Sequence, residues 1–267
     1  MLKMKEYLII LLCSYLACTW CLQEQLNERK IGSRIIGGQA ARAGQFTYSA
    51  AITVQTSNGR FFCGGTLLNQ EWILTAGQCV DGAELFTIQL GSNTLEGDDP
   101  YRVKVSSSEY VVHPDYNSLT LENDIGLIKL RMPVEYSQYL NQIGLLATSY
   151  NVSFSSFVAT GWGQTSDEDS GLSNDLMWVN VVPLSNEECK LFYGNQIGVN
   201  TICVGGYYNE GSCYGDTGSA LVQDIGKYKI HIGIASFISG NGCESTDPSG
   251  YTRTFPYRDW IRNFTGV

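Results

Sequence analysis

Along most of the chain the apolar residues come in short runs, alternating or continuous, cut off by Gly, Asn, Asp and Ser. Phe46 to Val54, Trp72 to Thr75, Leu85 to Leu90, Ile125 to Leu130, Leu176 to Val182 and Lys229 to Phe237 are of this kind. Runs of that length, bounded by turn residues, predict strands, and their spacing predicts an all-β sandwich or barrel. One segment keeps a different period. After Pro256, the residues Tyr257, Trp260, Ile261 and Phe264 recur at i, i+3, i+4 and i+7 and predict an amphipathic helix that docks by that face. No fixed repeat, low-complexity tract or long linker interrupts the body.

The N-terminus departs from this pattern. Lys3 and Lys5 precede an apolar stretch from Tyr7 to Leu16, and the small residues Ala17, Cys18 and Thr19 follow. That order predicts an export signal over residues 1–21 and a secreted, extracellular product. The apolar run is short for a membrane span; a membrane-anchored N-terminus is the alternative. Cleavage near Cys21 removes Cys13, Cys18 and Cys21 and leaves six cysteines: Cys63, Cys79, Cys189, Cys203, Cys213 and Cys243. An even set in an exported chain implies disulfides, although counting alone leaves the pairing open. A chain of 267 residues with 43% hydrophobic content is long enough to bury a large core. Its formal charge of -9 argues against nucleic acid or an anionic membrane as partner, because both are bound through clustered Lys and Arg.

Several short motifs carry chemistry. Phe62-Cys63-Gly64-Gly65, Trp72-Ile73-Leu74-Thr75-Ala76, Asn123-Asp124-Ile125, Gly161-Trp162-Gly163 and Gly215-Asp216-Thr217-Gly218 follow one another in that order. In these motifs and their order the chain, from Ile35 to the C-terminus, resembles the chymotrypsin-like (trypsin-like) serine protease family. The run Ser236-Phe237-Ile238-Ser239-Gly240-Asn241-Gly242-Cys243 is similar to arthropod collagenase-like and chymotrypsin-like members. The resemblance implies two six-stranded antiparallel β-barrels with a C-terminal helix, the chain crossing between them near residues 140–155. It also implies a short propeptide, residues 22–34, ahead of a protease domain, residues 35–267, and the pairings Cys63 with Cys79, Cys189 with Cys203, and Cys213 with Cys243.

At the triad positions that the resemblance assigns, Gln78 stands where the family carries its histidine and Thr217 where it carries its serine. Asp124 alone is retained. An amide cannot take a proton from a nucleophile near neutral pH and return it to a leaving amine, which the mechanism requires. Gln78 is expected to be structural, bonded to Asp124 or Thr217. The two histidines, His113 before Pro114 and His231 in an apolar run, are not expected to reach Thr217. Threonine keeps a hydroxyl, but its extra methyl stiffens χ1 and crowds attack, and no base is evident. The oxyanion hole would use the backbone amides of Gly215 and Thr217, which do not depend on either substitution. Gly218-Ser219-Ala220 departs from the family's Gly-Gly-Pro.

The specificity pocket implied by the resemblance is lined by Gly211, Ser212, Ser236, Ile238 and Ser249. It carries no acid to receive a basic side chain, and Ile238 narrows its mouth. Arg34-Ile35 looks like a zymogen activation bond, whose cleavage would free an α-amino group to pair with buried Asp216. A working switch and an inherited relic remain open as readings. Asn151 and Asn263 begin glycosylation sequons. The acidic loop Glu96, Asp98, Asp99 reads as a solvated turn rather than a calcium site. No metal or cofactor is expected. The leading expectation is a secreted, monomeric, non-catalytic protease homologue that binds a protein as cofactor, decoy or regulator in a protease network. A weak hydrolase using Thr217 is the alternative, and a structural secreted protein is the third.

Overall fold

The computed structural model describes residues 38–146, 157–168, 170–205, 211–225 and 228–267. The export signal, the propeptide, the Arg34–Ile35 bond and the Asn151 sequon lie outside the described residues. Everything below concerns the unit Arg34–Val267.

In chain order the strands are β1 (Gln39–Ala40), β2 (Ser49–Thr56), β3 (Gly59–Asn69), β4 (Trp72–Thr75), β5 (Leu85–Leu90), β6 (Val103–Ser107), β7 (Glu109–Val112), β8 (Gly126–Lys129), β9 (Gly144–Leu145), β10 (Phe157–Gly161), β11 (Met177–Leu184), β12 (Thr201–Gly205), β13 (Ala220–Ile225), β14 (Tyr228–Phe237) and β15 (Ser249–Arg253). The helices are α1 (Gly77–Val80), α2 (Asn186–Tyr193) and α3 (Arg258–Thr265).

The first half is one sheet in the order β6-β5-β2-β3-β4-β8-β7. Its end strands are consecutive in the chain, separated by Ser108 alone, so the sheet curls round and the chain itself joins its two edges. In β5 the alternation is clean: Phe86, Ile88 and Leu90 are buried, whereas Leu85 and Thr87 face out. Those three meet Ile52, Val54, Leu67, Ile73 and Leu127 in a core contributed by most strands of the sheet. Each such side chain contributes roughly 1.5–3 kcal/mol on burial.

The second half closes through hydrogen bonds. Its ring runs β11-β10-β13-β14-β15-β12, and β12 pairs back onto β11, giving six strands around Phe157, Val181, Ile202, Leu221 and Tyr251. Strand β1 adds to its edge, and β9 pairs in parallel with β14. The chain leaves the first half after Val134, whose amide bonds Gln70, and reaches the second at β9. The fold is thus all-β, with one closed six-stranded barrel and one curled sheet closed covalently.

The disulfides are Cys63–Cys79, Cys189–Cys203 and Cys213–Cys243. Closing loops of 16 and 14 residues, the first two each stabilise by about 3 kcal/mol through the unfolded state.

Two elements differ from the sequence expectation. Helix α2 was not anticipated, although its signal is present: Ser185 Oγ accepts from the Glu188 amide at 3.2 Å while the Glu188 carboxylate accepts from the Ser185 amide at 2.8 Å, a reciprocal capping box. In α3, Ile261 is fully buried and Tyr257 nearly so, but Phe264 is 44% exposed and packs edge-on against Trp260. The docking face is therefore narrower than the i, i+7 pattern implies, because the helix ends one residue after Phe264. Asn263 is exposed, so its sequon faces away from the docked side.

Candidate functional site

The site lies where the two halves meet, and Asp124 is its centre. Asp124 is fully buried. Its Oδ1 accepts from the Gln78 amide at 2.9 Å, and its Oδ2 accepts from Gln78 Nε2 at 2.7 Å and from Ser236 Oγ at 2.6 Å. Helix α1 is only four residues long and has no capping side chain of its own. The Asp124 carboxylate performs that function, meeting the first amides of the helix. Burial pushes the Asp124 pKa above its ordinary value; the hydrogen bonds from Ser236, Gln78 and Gly77 pull it back.

Gln78 donates its second Nε2 hydrogen to Ser236 O at 2.9 Å. Both amide hydrogens are then committed, one to each half of the molecule. Of the two partners expected for Gln78, the structure chooses Asp124 and not Thr217. What remains is Oε1, an oxygen without useful basicity near neutral pH.

Ser236 reaches Asp124 because β14 slips register between Ala235 and Phe237 as it pairs with β15. Such an irregularity re-aims a side chain. Sequence reasoning placed Ser236 in the pocket wall; in the structure its hydroxyl and carbonyl belong to the Asp124–Gln78 network. No pattern in the sequence marks a register slip of this kind.

The Thr217 loop is held from both sides. Thr217 O accepts from Gly64 N of β3 at 2.7 Å, and Gly218 N donates to Ala235 O at 2.8 Å. Gly218 has φ +86°, and a Cβ there would lie 2.3 Å from Thr75 Oγ1 and 2.4 Å from Gly64 O, so only glycine fits. The amides of Asp216, Gly218 and Ser219 are all engaged, on Cys213 O, Ala235 O and Asp216 O. Among the described residues, the amides of Gly215 and Thr217 have no hydrogen-bond acceptor, and neither does the Thr217 hydroxyl. Leu172 leans over this loop, its Cδ2 within 2.5 Å of where a Cβ on Gly215 would sit.

Neither histidine serves Thr217. The His113 ring packs against Tyr257 and Trp260, with centroids 5.1 Å and 5.2 Å away, and its Nδ1 accepts from Asp115 N. His231 is fully buried with Nδ1 against Thr254 Oγ1 at 2.9 Å, and burial pushes its pKa down to about 3.

Asp216 is also buried, and its carboxylate accepts from Gly163 N at 2.7 Å and Cys213 N at 2.9 Å. A Cβ on Gly163 would fall within 2.7 Å of all three carboxyl atoms, so the Gly161-Trp162-Gly163 turn wraps the group closely. Burial pushes Asp216 up to about 7 despite the two amides. No cation faces it among the described residues, and in the intact chain residue 35 carries no α-amino charge.

The pocket residues gather as a set. A Cβ on Gly211 would lie 3.0 Å from Ser249 Oγ; Ser212 Oγ shares a hydrogen with Tyr251 Oη; Ile238 packs on the Cys213–Cys243 disulfide. The tip of the Phe237 ring lies against Gly250, inside the space a side chain there would need, and the ring stands edge-on to Tyr193. The neighbouring acid, Asp247, is bonded to Ser239 Oγ and Asn241 Nδ2. Elsewhere, the acidic loop closes on a cation of its own: the Arg102 guanidinium donates to the carbonyls of Thr94, Glu96 and Gly97. One cluster of metal-type residues, Asp167 with Cys213 and Cys243, has both its cysteines in a disulfide and offers no thiolate.

The fold and this cleft define a serine-protease scaffold. The chain belongs to the Trypsin family, whose sequence profile matches residues 35–261. It is 36% identical over 233 residues to brachyurin of Leptuca pugilator, covering 87% of this chain and 99% of that protein. Collagenase of Hypoderma lineatum is 35% identical over 240 residues, 88% of each chain. Serine protease 1 of Drosophila melanogaster is 34% identical over 245 residues, 90% of this chain and 88% of that one. The solved structure of HL collagenase superposes with a TM-score of 0.77 at 32% identity, over 87% of this chain and 99% of that one.

Proposed function

We propose that this protein is an exported, non-catalytic member of the Trypsin family that acts by binding another protein, as cofactor, decoy or regulator of proteases. One observation carries the reading: Gln78 holds the place beside Asp124 with both amide hydrogens bonded to Asp124 and Ser236. Among the described residues, no side chain hydrogen-bonds the Thr217 hydroxyl to take its proton and hand it on. Losing members of a triad that act as a unit costs on the order of a million-fold in turnover. Three disulfides fit an oxidising, extracellular compartment, as the N-terminal signal over residues 1–21 implies. The chain works as a monomer, and its acidity keeps it from nucleic acid and anionic membranes. Removal of residues 22–34 by cleavage after Arg34 supplies the cation that Asp216 lacks.

A second reading is favoured by the unengaged amides of Gly215 and Thr217 beside a surviving hydroxyl: a slow hydrolase with Thr217 as nucleophile. Such a site retains roughly 10³ to 10⁴-fold over water from the oxyanion hole and binding. A fluorophosphonate probe and a panel of peptide substrates, applied to the intact and the Arg34-cleaved protein, separate the two. The binding reading expects no label and no turnover in either form. Label on Thr217, or hydrolysis abolished by Thr217→Ala, establishes the hydrolase instead.

A further inference from the structure

Beside the cleft, two hollows share one lip. The first, of about 300 Å³, has Phe237, Leu121 and Glu122 in its wall. The second, of about 470 Å³, is lined by Glu187, Glu188 and Arg253 at the start of α2 and the end of β15. Val199 borders both and is 84% exposed.

An exposed valine at a loop tip is ordinarily unremarked, but this one is held still. Gly198 O accepts from Asn186 Nδ2 at 2.7 Å, and Asn200 O accepts from Arg253 N at 2.7 Å. Asn200 Nδ2 donates to Tyr257 Oη at 3.2 Å, which in turn donates to Asn123 Oδ1 at 2.8 Å. Two residues before the lip, Ile197 is buried against the Cys189–Cys203 disulfide. Both neighbours of Val199 are thus pinned, and an isopropyl group is presented to solvent with its ordering cost already met in the fold.

The charge of the groove is one-sided. Glu122 faces the first hollow and Glu187 and Glu188 the second, whereas the one cation of the lining among the described residues, Arg253, is half-buried and donates to Thr201 O at 3.3 Å. The whole chain carries -9, so a cationic ligand is favoured at long range as well. A ridge one residue wide between two hollows suits a single extended chain, whose side chains alternate from face to face.

We propose that this double groove receives an extended basic segment of a partner protein, with an aliphatic side chain resting on Val199 and Lys or Arg side chains toward Glu122 and Glu187. The assignment rests on the protein-binding reading above and names the surface and the partner chemistry. The groove lies off Thr217 and its loop and needs neither.

Two nine-residue synthetic peptides test it on the full exported protein, one alternating Lys with Leu and one alternating Glu with Leu, titrated by fluorescence anisotropy at physiological salt. The Lys–Leu peptide is expected to bind at least about tenfold tighter, and Val199→Ser to weaken it about tenfold, the scale of one lost aliphatic contact. Glu122→Lys with Glu187→Lys is expected to reverse the preference. Reversing Asp98 and Asp259, which are exposed elsewhere, changes net charge equally and is expected to leave the preference in place. Equal binding of the two peptides, or an affinity indifferent to Val199→Ser in a variant with unchanged thermal unfolding, overturns the groove. So does an equal loss on reversing Asp98 and Asp259. Mass spectrometry of the peptides keeps the two readings apart: a cleaved peptide sinks the non-catalytic function, and an intact but unbound one sinks the groove alone.

Discussion

The two sides of the cleft differ in what their chemistry is made of. On the α1 side the group that meets Asp124 is a side chain, the Gln78 amide, which donates to Asp124 and Ser236 and does not titrate near neutral pH. On the Thr217 side, much of the machinery is backbone: a loop pinned by Gly64 and Ala235, a glycine at φ +86° and two unengaged amides. The first side offers no titrating group at Gln78, whereas the second presents its backbone donors. The Thr217 loop is shaped by backbone contacts that do not depend on the Thr217 side chain, whereas the α1 side is tied to Ser236 through the Gln78 side chain itself.

The sharpest way to break this contrast is to restore both side chains. Gln78→His with Thr217→Ser is expected to raise peptide hydrolysis by the Arg34-cleaved protein at least about a thousand-fold over the parent, a part of the triad's full effect, with either single change nearly silent. A silent double variant would mean that the backbone side is not competent either, and the contrast would fail.

Next in size is the network that Gln78 maintains. Gln78→Leu leaves Asp124 buried without its Nε2 donor and Ser236 O unpaired, at a cost of roughly 2–4 kcal/mol in urea unfolding. Gln78→Ala after Asp124→Asn should cost less than the sum of the two, since both remove the same bond.

The pH dependence of the intact chain separates two buried groups with opposite signs. Asp216 keeps its proton in the folded state up to about 7 but releases it near 3.8 when unfolded, so it stabilises at low pH and the contribution is lost as pH rises between those values. His231 stays neutral in the folded state down to about 3 but binds a proton below 6.5 when unfolded, so its contribution is present above 6.5 and lost as pH falls. Each slope is about 1.4 kcal/mol per pH unit, and they oppose one another between about pH 4 and 6. Relative to the parent, Asp216→Asn should gain stability as pH rises through that window and His231→Gln should lose it. Parallel curves from urea titrations across pH would refute both assignments.

The C-terminal helix sets a large loss beside the smallest one. Ile261→Ala, deep in the first core, should cost roughly 2–5 kcal/mol, whereas Phe264→Ala, exposed beside Trp260, should cost under about 1 kcal/mol. Equal losses would restore the wider docking face that the i, i+7 pattern suggests.

Much of this was legible in advance where period and burial agree. Trp72–Thr75 and Leu85–Leu90 are strands over the residues the pattern gave, since each buries one face or both in a single core. Strand β3 was not among the predicted runs: its first residues are exposed, and its paired glycines lack side chains because Ser219 and Ile52 are packed against them. Helix α2 was legible only through its capping box, its inward apolar contacts being confined to Cys189 and Tyr193 while Leu191 and Phe192 are exposed.

By itself the sequence determined the family and placed a glutamine, not a titrating group, at position 78, because these are matters of which atoms are present and in what order. Only the tertiary structure decided that Gln78 bonds Asp124 and Ser236 rather than Thr217, that Asp124 caps α1, and that Val199 stands rigid between two hollows. Each of those depends on residues brought together from distant parts of the chain, and the Ser236 bond depends also on a register slip in β14 that no local pattern encodes.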